Sequence, residues 1–156
     1  MNRIAILALS AAVVIPFTAR AQTKPDFSGT WTMDAAKSDP APQGRGGGGG
    51  GGSQTIKQTA AELSVQTQGR QGPQTMTYKL DGSESSNEQM GRGGAVTVKS
   101  KAKWDGSKLV IESTRDMGGQ SVTTTETRSL SADGKEMTVE TSFNGNARKV
   151  VYTKSM

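Results

Sequence analysis

Val96-Thr97-Val98-Lys99-Ser100-Lys101-Ala102-Lys103-Trp104-Asp105-Gly106 alternates residue by residue. Val96, Val98, Ala102 and Trp104 fall on one face at a period of two, and Lys99, Lys101 and Lys103 fall on the other. A period of two is that of a half-buried β-strand. The run ends on Asp105-Gly106, and three more Asx-Gly dipeptides follow the same logic: Asp81-Gly82, Asp133-Gly134 and Asn144-Gly145. Between alternating runs such dipeptides signal tight hairpins, because both residue types tolerate the left-handed backbone of a two-residue turn. The second half of the chain therefore reads as an antiparallel meander.

Working outward, the other segments carry weaker forms of the same pattern. Trp31 and Met33 alternate with Thr in a first strand, and Ile56 marks a second strand over Gln54 to Thr59. Leu63 and Val65 mark a third, and Met76, Tyr78 and Leu80 a fourth. Ser83 to Met90 is a very polar fifth, turned around by Gly91-Arg92-Gly93-Gly94. Leu109 and Ile111 share a face of the seventh, and Met117-Gly118-Gly119 turns into an eighth over Ser121 to Leu130. Met137 and Val139, then Val150 and Tyr152, mark the last two. Thr, Val and Tyr suit a pleated, half-buried surface, and no stretch past Ser53 sustains a helical period. About ten strands in an up-and-down meander leave two edges, and exposed edges recruit other chains, so the sheet is expected to close into a β-barrel. A two-sheet sandwich is the alternative.

Two segments read differently. Arg3, the apolar run Ile4 to Phe17 and Ala19-Arg20-Ala21 have the layout of a secretory signal cleaved before Gln22. The apolar run is shorter than the ~20 residues of a membrane-spanning helix. Export to the periplasm or the medium is the expectation, with residues 1–21 as signal and 22–156 as one domain. The chain has no Cys, so neither disulfides nor an N-terminal lipid attachment is available to it. Asp34 to Ser38 has room for one helical turn, and residues 38–52, ending in seven glycines, read as a flexible loop with too little apolar surface to offset its ordering entropy. The phosphate-loop pattern of Gly, four residues, Gly, Lys and Ser or Thr is absent.

Composition narrows the function. Of the 19 Lys and Arg, the signal segment holds Arg3 and Arg20 and no acids, so its removal lowers the net charge from +5 to +3. The remaining Lys and Arg are scattered, and no aromatic residues are interleaved with the Lys99, Lys101, Lys103 stripe, which argues against a nucleic-acid surface. That stripe reads as a solvated outer face. With no His and no Cys, the usual general base near neutral pH and the thiol nucleophile are both missing. The acids show no metal-ligand spacing, and neither a metal nor a cofactor is expected. Glu112 and Glu140 are a nominal carboxylate pair for glycoside chemistry, but both are out of phase with the apolar residues of their strands. Only 32% of residues are hydrophobic, which fits a barrel with a partly polar interior better than a large solid core.

The opening Phe27-x-Gly29-Thr30-Trp31, followed by a meander of strands, resembles that of the calycins, the lipocalins and intracellular fatty-acid-binding proteins. Lys103-Trp104-Asp105-Gly106 is similar to the late hairpin of the fatty-acid-binding branch, and Val151-Tyr152-Thr153-Lys154 to its closing strand. The chain also resembles small exported lipocalin-like proteins of bacteria. The resemblance implies a barrel with Trp31 plugging its closed end and a small hydrophobic or amphipathic ligand inside. Two departures stand out. The lid helices of that branch would fall where residues 34–52 are rich in Pro and Gly. Its carboxylate-binding Arg, two residues before the Tyr of the last strand, is Val150 here. Arg148 keeps the same face but lies about 13 Å along the strand from Tyr152, at ~3.3 Å per residue.

The eighth strand holds the candidate site. Val122, Thr124, Glu126, Arg128 and Leu130 share one face. If Val122 and Leu130 point inward, Glu126 and Arg128 do too, and buried charges must pair or face an internal wet cavity. A bulge after Gly119 would instead turn both charges to solvent. Tyr78, Tyr152 and Arg148 are the further candidates for the same polar patch, with Arg115 behind them. The expectation is a monomeric binder of an apolar or amphipathic small molecule that does no chemistry. A solidly filled barrel serving as an envelope-associated interaction module is the alternative.

Overall fold

The computed structural model describes residues 24–40, 52–69, 72–91 and 94–155. The signal-like segment, most of the glycine tract and the tips of two turns, Gly91-Arg92-Gly93-Gly94 among them, lie wholly or partly outside the described residues. Ten antiparallel strands follow one another: β1 (Gly29–Asp34), β2 (Ser53–Gln58), β3 (Glu62–Gly69), β4 (Gly72–Lys79), β5 (Glu84–Gly91), β6 (Gly94–Asp105), β7 (Lys108–Met117), β8 (Gln120–Leu130), β9 (Glu136–Phe143) and β10 (Asn146–Lys154). They form a single sheet in the order β4-β3-β2-β1-β10-β9-β8-β7-β6-β5. The one continuous sheet curls into a nearly closed barrel and rules out the sandwich. β1 and β10 pair through Trp31 with Lys154 and Met33 with Tyr152, which joins the first strand to the last. Among the described residues there is no helix. Asp34 to Ser38 makes a single turn, closed by the Lys37 N–H donating to the Asp34 carbonyl and capped by Asp34 Oδ1, which accepts from the Ala36 and Lys37 N–H groups.

The four Asx-Gly signals resolve into different turns. Asn144 and Gly145 form a two-residue loop between the paired Phe143 and Asn146, both with positive φ (49° and 78°), which is the geometry the dipeptide predicts. Asp105 instead pairs with Lys108, so Gly106 and Ser107 make the turn. Asp133-Gly134 sits in a longer connection in which the Ser131 hydroxyl donates to Asp133 Oδ1. Asp81-Gly82 departs from the expected hairpin, because it joins β4 and β5, the two edges of the sheet, which share no ladder. A turn sets only the local path of the chain. Whether the strands it joins pair is set by how the whole barrel closes.

Buried side chains fill the core at one end of the barrel. Phe27 and Trp31 are fully buried, the Trp31 indole N–H donates to the Phe27 carbonyl at 2.8 Å, and the Lys154 ammonium lies 5.3 Å from the Trp31 ring centre. Leu63, Leu80, Leu109, Met137 and Ile56 complete this base. Each such side chain contributes about 1.5–3 kcal/mol on burial. Trp31 therefore fills the plugging place its sequence position implied. The opposite end, where β7 meets β8 and β9 meets β10, is the mouth.

Candidate functional site

The inner wall toward the mouth is polar. The β7–β8 ladder runs without a break from Met117 paired with Gln120 to Leu109 paired with Arg128. No bulge intervenes, so Glu126 and Arg128 share the inward face with Leu130. Arg128 is 4% exposed, and its Nε donates to Glu126 Oε1 at 2.5 Å while Nη1 reaches Gln54 Oε1 at 3.4 Å. Glu126 keeps 27% of its side chain accessible. Glu126 thus faces inward without being sealed from solvent. Thr124, Thr141, Arg115 and Arg148 face the same way and are likewise half-buried.

The other candidates converge on this pair. Tyr78 and Tyr152 are buried. Burial pushes both phenols up, and both feel Glu126 and Arg128, with Arg148 acting on Tyr152 as well. The Tyr78 hydroxyl donates to Met76 Sδ at 3.6 Å. Burial works against the Arg128 charge, but Glu126 together with the two tyrosine oxygens outweighs it and holds the guanidinium protonated. Glu126, Arg128, Tyr78, Tyr152 and Arg148 thus form one electrostatic cluster drawn from β4, β8 and β10.

Gln54 was not among the expected site residues. It is 4% exposed and stands two residues before Ile56, on the same inward face. That period was the signal available for it. Several donors go unmet: among the described residues Gln54 Nε2, Arg115 Nε and Arg148 Nε on the inward face are buried without a hydrogen-bond partner, as is Trp104 Nε1 at the base. Nearer the β5–β6 side, Arg115 Nη1 donates to Gln89 Oε1 at 3.3 Å, and the Ser100 and Ser113 hydroxyls meet at 2.8 Å.

The outer wall carries no comparable arrangement. Lys99, Lys101 and Lys103 are exposed on it, with Lys99 paired to Glu84 at 3.4 Å. Glu112 and Glu140 are also exposed there, away from any shared cleft. Two clefts on the described surface bear on the site. One of about 580 Å³ lies at the base, between Lys24, Asp26, Gln58, Leu80 and Trp104. The other, of about 150 Å³, lies on the outer wall around Lys57 and Gln66. Neither reaches Glu126 or Arg128.

No protein-family model matches the chain, and no curated protein sequence matches it. Among solved structures, one described as "REP1-NXSQ fatty acid transporter" superposes with a TM-score of 0.56, covering 83% of this chain and 96% of that one at 13% identity. A likeness at that identity is one of fold: the nearly closed, ten-stranded antiparallel barrel is an architecture this chain shares with a fatty acid transporter.

Proposed function

We propose that the chain is a calycin-type carrier that holds a small amphipathic molecule in the mouth half of its barrel and does no chemistry on it. The surplus of buried donors carries this reading. A buried donor without an acceptor costs about 1–3 kcal/mol, and Gln54 Nε2, Arg115 Nε and Arg148 Nε are three such donors on one inner wall. A ligand whose head group brings acceptor oxygens relieves that cost. The carriage of fatty acids by a protein of the same architecture supports the class of ligand. Because Phe27, Trp31 and Leu63 fill the core below it, the ligand sits shallow, with its head among Gln54, Arg128 and Arg148 and its apolar part against Met33, Met76 and Val65. Export through a cleaved signal, with residues 22–156 as one domain and 38–52 as its loop, completes the proposal.

The filled base favours a second reading, in which the barrel is an interaction module with no small-molecule ligand. Native mass spectrometry on protein purified from its own cells separates the two. A copurifying mass of a few hundred daltons that is lost in Arg148→Met supports the carrier. Bare protein in both forms refutes it and leaves the module.

A further inference from the structure

The closed end of the barrel carries on its outside a cleft that the mouth cluster does not use. Its volume is about 580 Å³, and it lies between residues 24–26, the end of β2, Leu80 and Trp104. Ligand pockets usually measure about 300–1,000 Å³. One side chain fixes the segment that forms its near wall. Gln58 Oε1 accepts from the Phe27 N–H at 3.0 Å, and Gln58 Nε2 donates to the Pro25 carbonyl at 3.0 Å. Trp104 is half-buried and stacks on the buried Phe27, with ring centres 6.1 Å apart and planes 16° from parallel. The Lys24 ammonium lies 5.6 Å from the Trp104 ring centre, a cation–π contact. Two donors of this cleft are unmet among the described residues. The Trp104 indole N–H is buried without a hydrogen-bond partner. Lys24 is exposed, and the ion pairs of the described residues all lie elsewhere. The acid lining the cleft, Asp26, is already engaged. Its Oδ1 accepts from the Ser28 N–H at 2.9 Å, and Ser28, with help from Lys154, holds the carboxyl below the usual carboxylate range.

We propose that this cleft is a second binding site, outside the barrel, and that it takes a flat aromatic carboxylate. The ring lies along Trp104 and against Leu80, and the carboxylate pairs with Lys24. Each part of that ligand answers a group already in place. The indole and Leu80 offer an apolar surface to a ring, and stacked aromatic pairs gain beyond their area. The unmet groups are both donors, so the ligand must bring acceptor oxygens. A carboxylate does so and forms a charge-assisted bond with the Lys24 ammonium. Asp26 limits the charge, because a second negative group on the ligand would face a carboxylate that stays ionised. Phe27 and Trp31 fill the core between this cleft and the polar cluster of Glu126 and Arg128. The site therefore stands independently of the carrier reading.

The sequence has two tryptophans, so a nitrogen–proton NMR spectrum of the full chain shows two indole signals, which Trp104→Phe assigns. The Trp31 N–H is bonded to the Phe27 carbonyl and serves as the internal control. Titration with 2-naphthoate is expected to move the Trp104 signal and leave that of Trp31, with a Kd below about 1 mM. Lys24→Gln, at an exposed position, is expected to weaken binding about ten-fold, as for a lost charge-assisted bond. Neutral 2-naphthamide is expected to bind the parent chain as weakly as 2-naphthoate binds that variant. Arg148→Met, at the mouth, is expected to leave the Kd for 2-naphthoate unchanged. A Trp104 signal that stays still up to about 1 mM probe overturns the site. Equal affinity for the acid and the amide overturns it too, because the Lys24 contact would then contribute nothing. Weaker binding in Arg148→Met puts the probe in the mouth, which overturns the base site and supports the carrier reading.

Discussion

Glu126 and Arg128 stand two residues apart on β8 and close an ion pair of 2.5 Å on the inner wall of the barrel. The two partners are not equivalent. Arg128 is buried, while Glu126 retains 27% accessibility, so the pair is a buried cation held by a carboxylate that still touches water. Removing the carboxylate strands the cation; removing the cation leaves a carboxylate that solvent can reach.

That asymmetry predicts unequal outcomes for two substitutions. Glu126→Ala is expected to cost about 3 kcal/mol, the low end of the range for breaking a buried pair, because solvent screens part of the interaction. Arg128→Met leaves a carboxylate that solvent can reach and is expected to cost less than Glu126→Ala, about 1–2 kcal/mol. Urea unfolding of both variants checks this. A larger loss in Arg128→Met than in Glu126→Ala contradicts the asymmetry.

Arg148→Met separates binding from folding. The Arg148 Nε atom is buried without a partner among the described residues, so its loss removes an unsatisfied donor. The midpoint of thermal unfolding is expected to hold or rise, while retention of an amphipathic ligand falls about ten-fold, as for a lost charge-assisted hydrogen bond. Calorimetry on the parent and the variant, with and without a C12 to C16 fatty acid as probe, reads both quantities.

Much of this architecture was legible in the order of residues. The alternation of Val96, Val98, Ala102 and Trp104 against three lysines placed β6 and its faces, and the period through Val122, Glu126, Arg128 and Leu130 put the two charges on one face while leaving open which way that face pointed. These signals survive because a one-residue slip would turn every side chain to the wrong wall. What the pattern hid was non-periodic. Asp81-Gly82 has the chemistry of a hairpin turn yet joins the two edges of the sheet, because pairing depends on closure of the whole sheet. Asn87 and Ser85 sit in a polar strand without apolar alternation, and their side-chain bonds to the Thr77 and Lys79 main chain leave no trace in hydropathy. Gln54 was in phase with Ile56, but a lone amide on an inward face becomes a site residue only once β8 is brought opposite it.

The base of the barrel predicts a large local cost. Trp31 is fully buried and its indole N–H is bonded to the Phe27 carbonyl. Trp31→Ala is expected to lose about 3–5 kcal/mol, the range for large aromatic truncations. Trp104 is half-buried against Phe27, with ring centres 6.1 Å apart, so Trp104→Ala is expected to lose less than Trp31→Ala. Chemical denaturation ranks the two.

Alkaline pH should unfold the chain through its tyrosines. The sequence contains two, Tyr78 and Tyr152, and burial raises both above the ordinary value of 10.0. In the unfolded chain each phenol loses its proton near that ordinary value; in the folded barrel each keeps it. The stabilisation is therefore complete below pH 10 and is lost as pH rises toward the folded values, because the unfolded state alone gains from releasing protons in that interval. Tyrosinate absorbance at 295 nm should stay flat through pH 10 and then rise together with the loss of the far-ultraviolet β signal. Tyr78→Phe removes one of the two linked protons and should move that joint transition to higher pH. A smooth titration centred at pH 10 with the β signal intact would mean that the phenols are open to solvent, and the packed wall around Tyr78 and Arg128 would not hold.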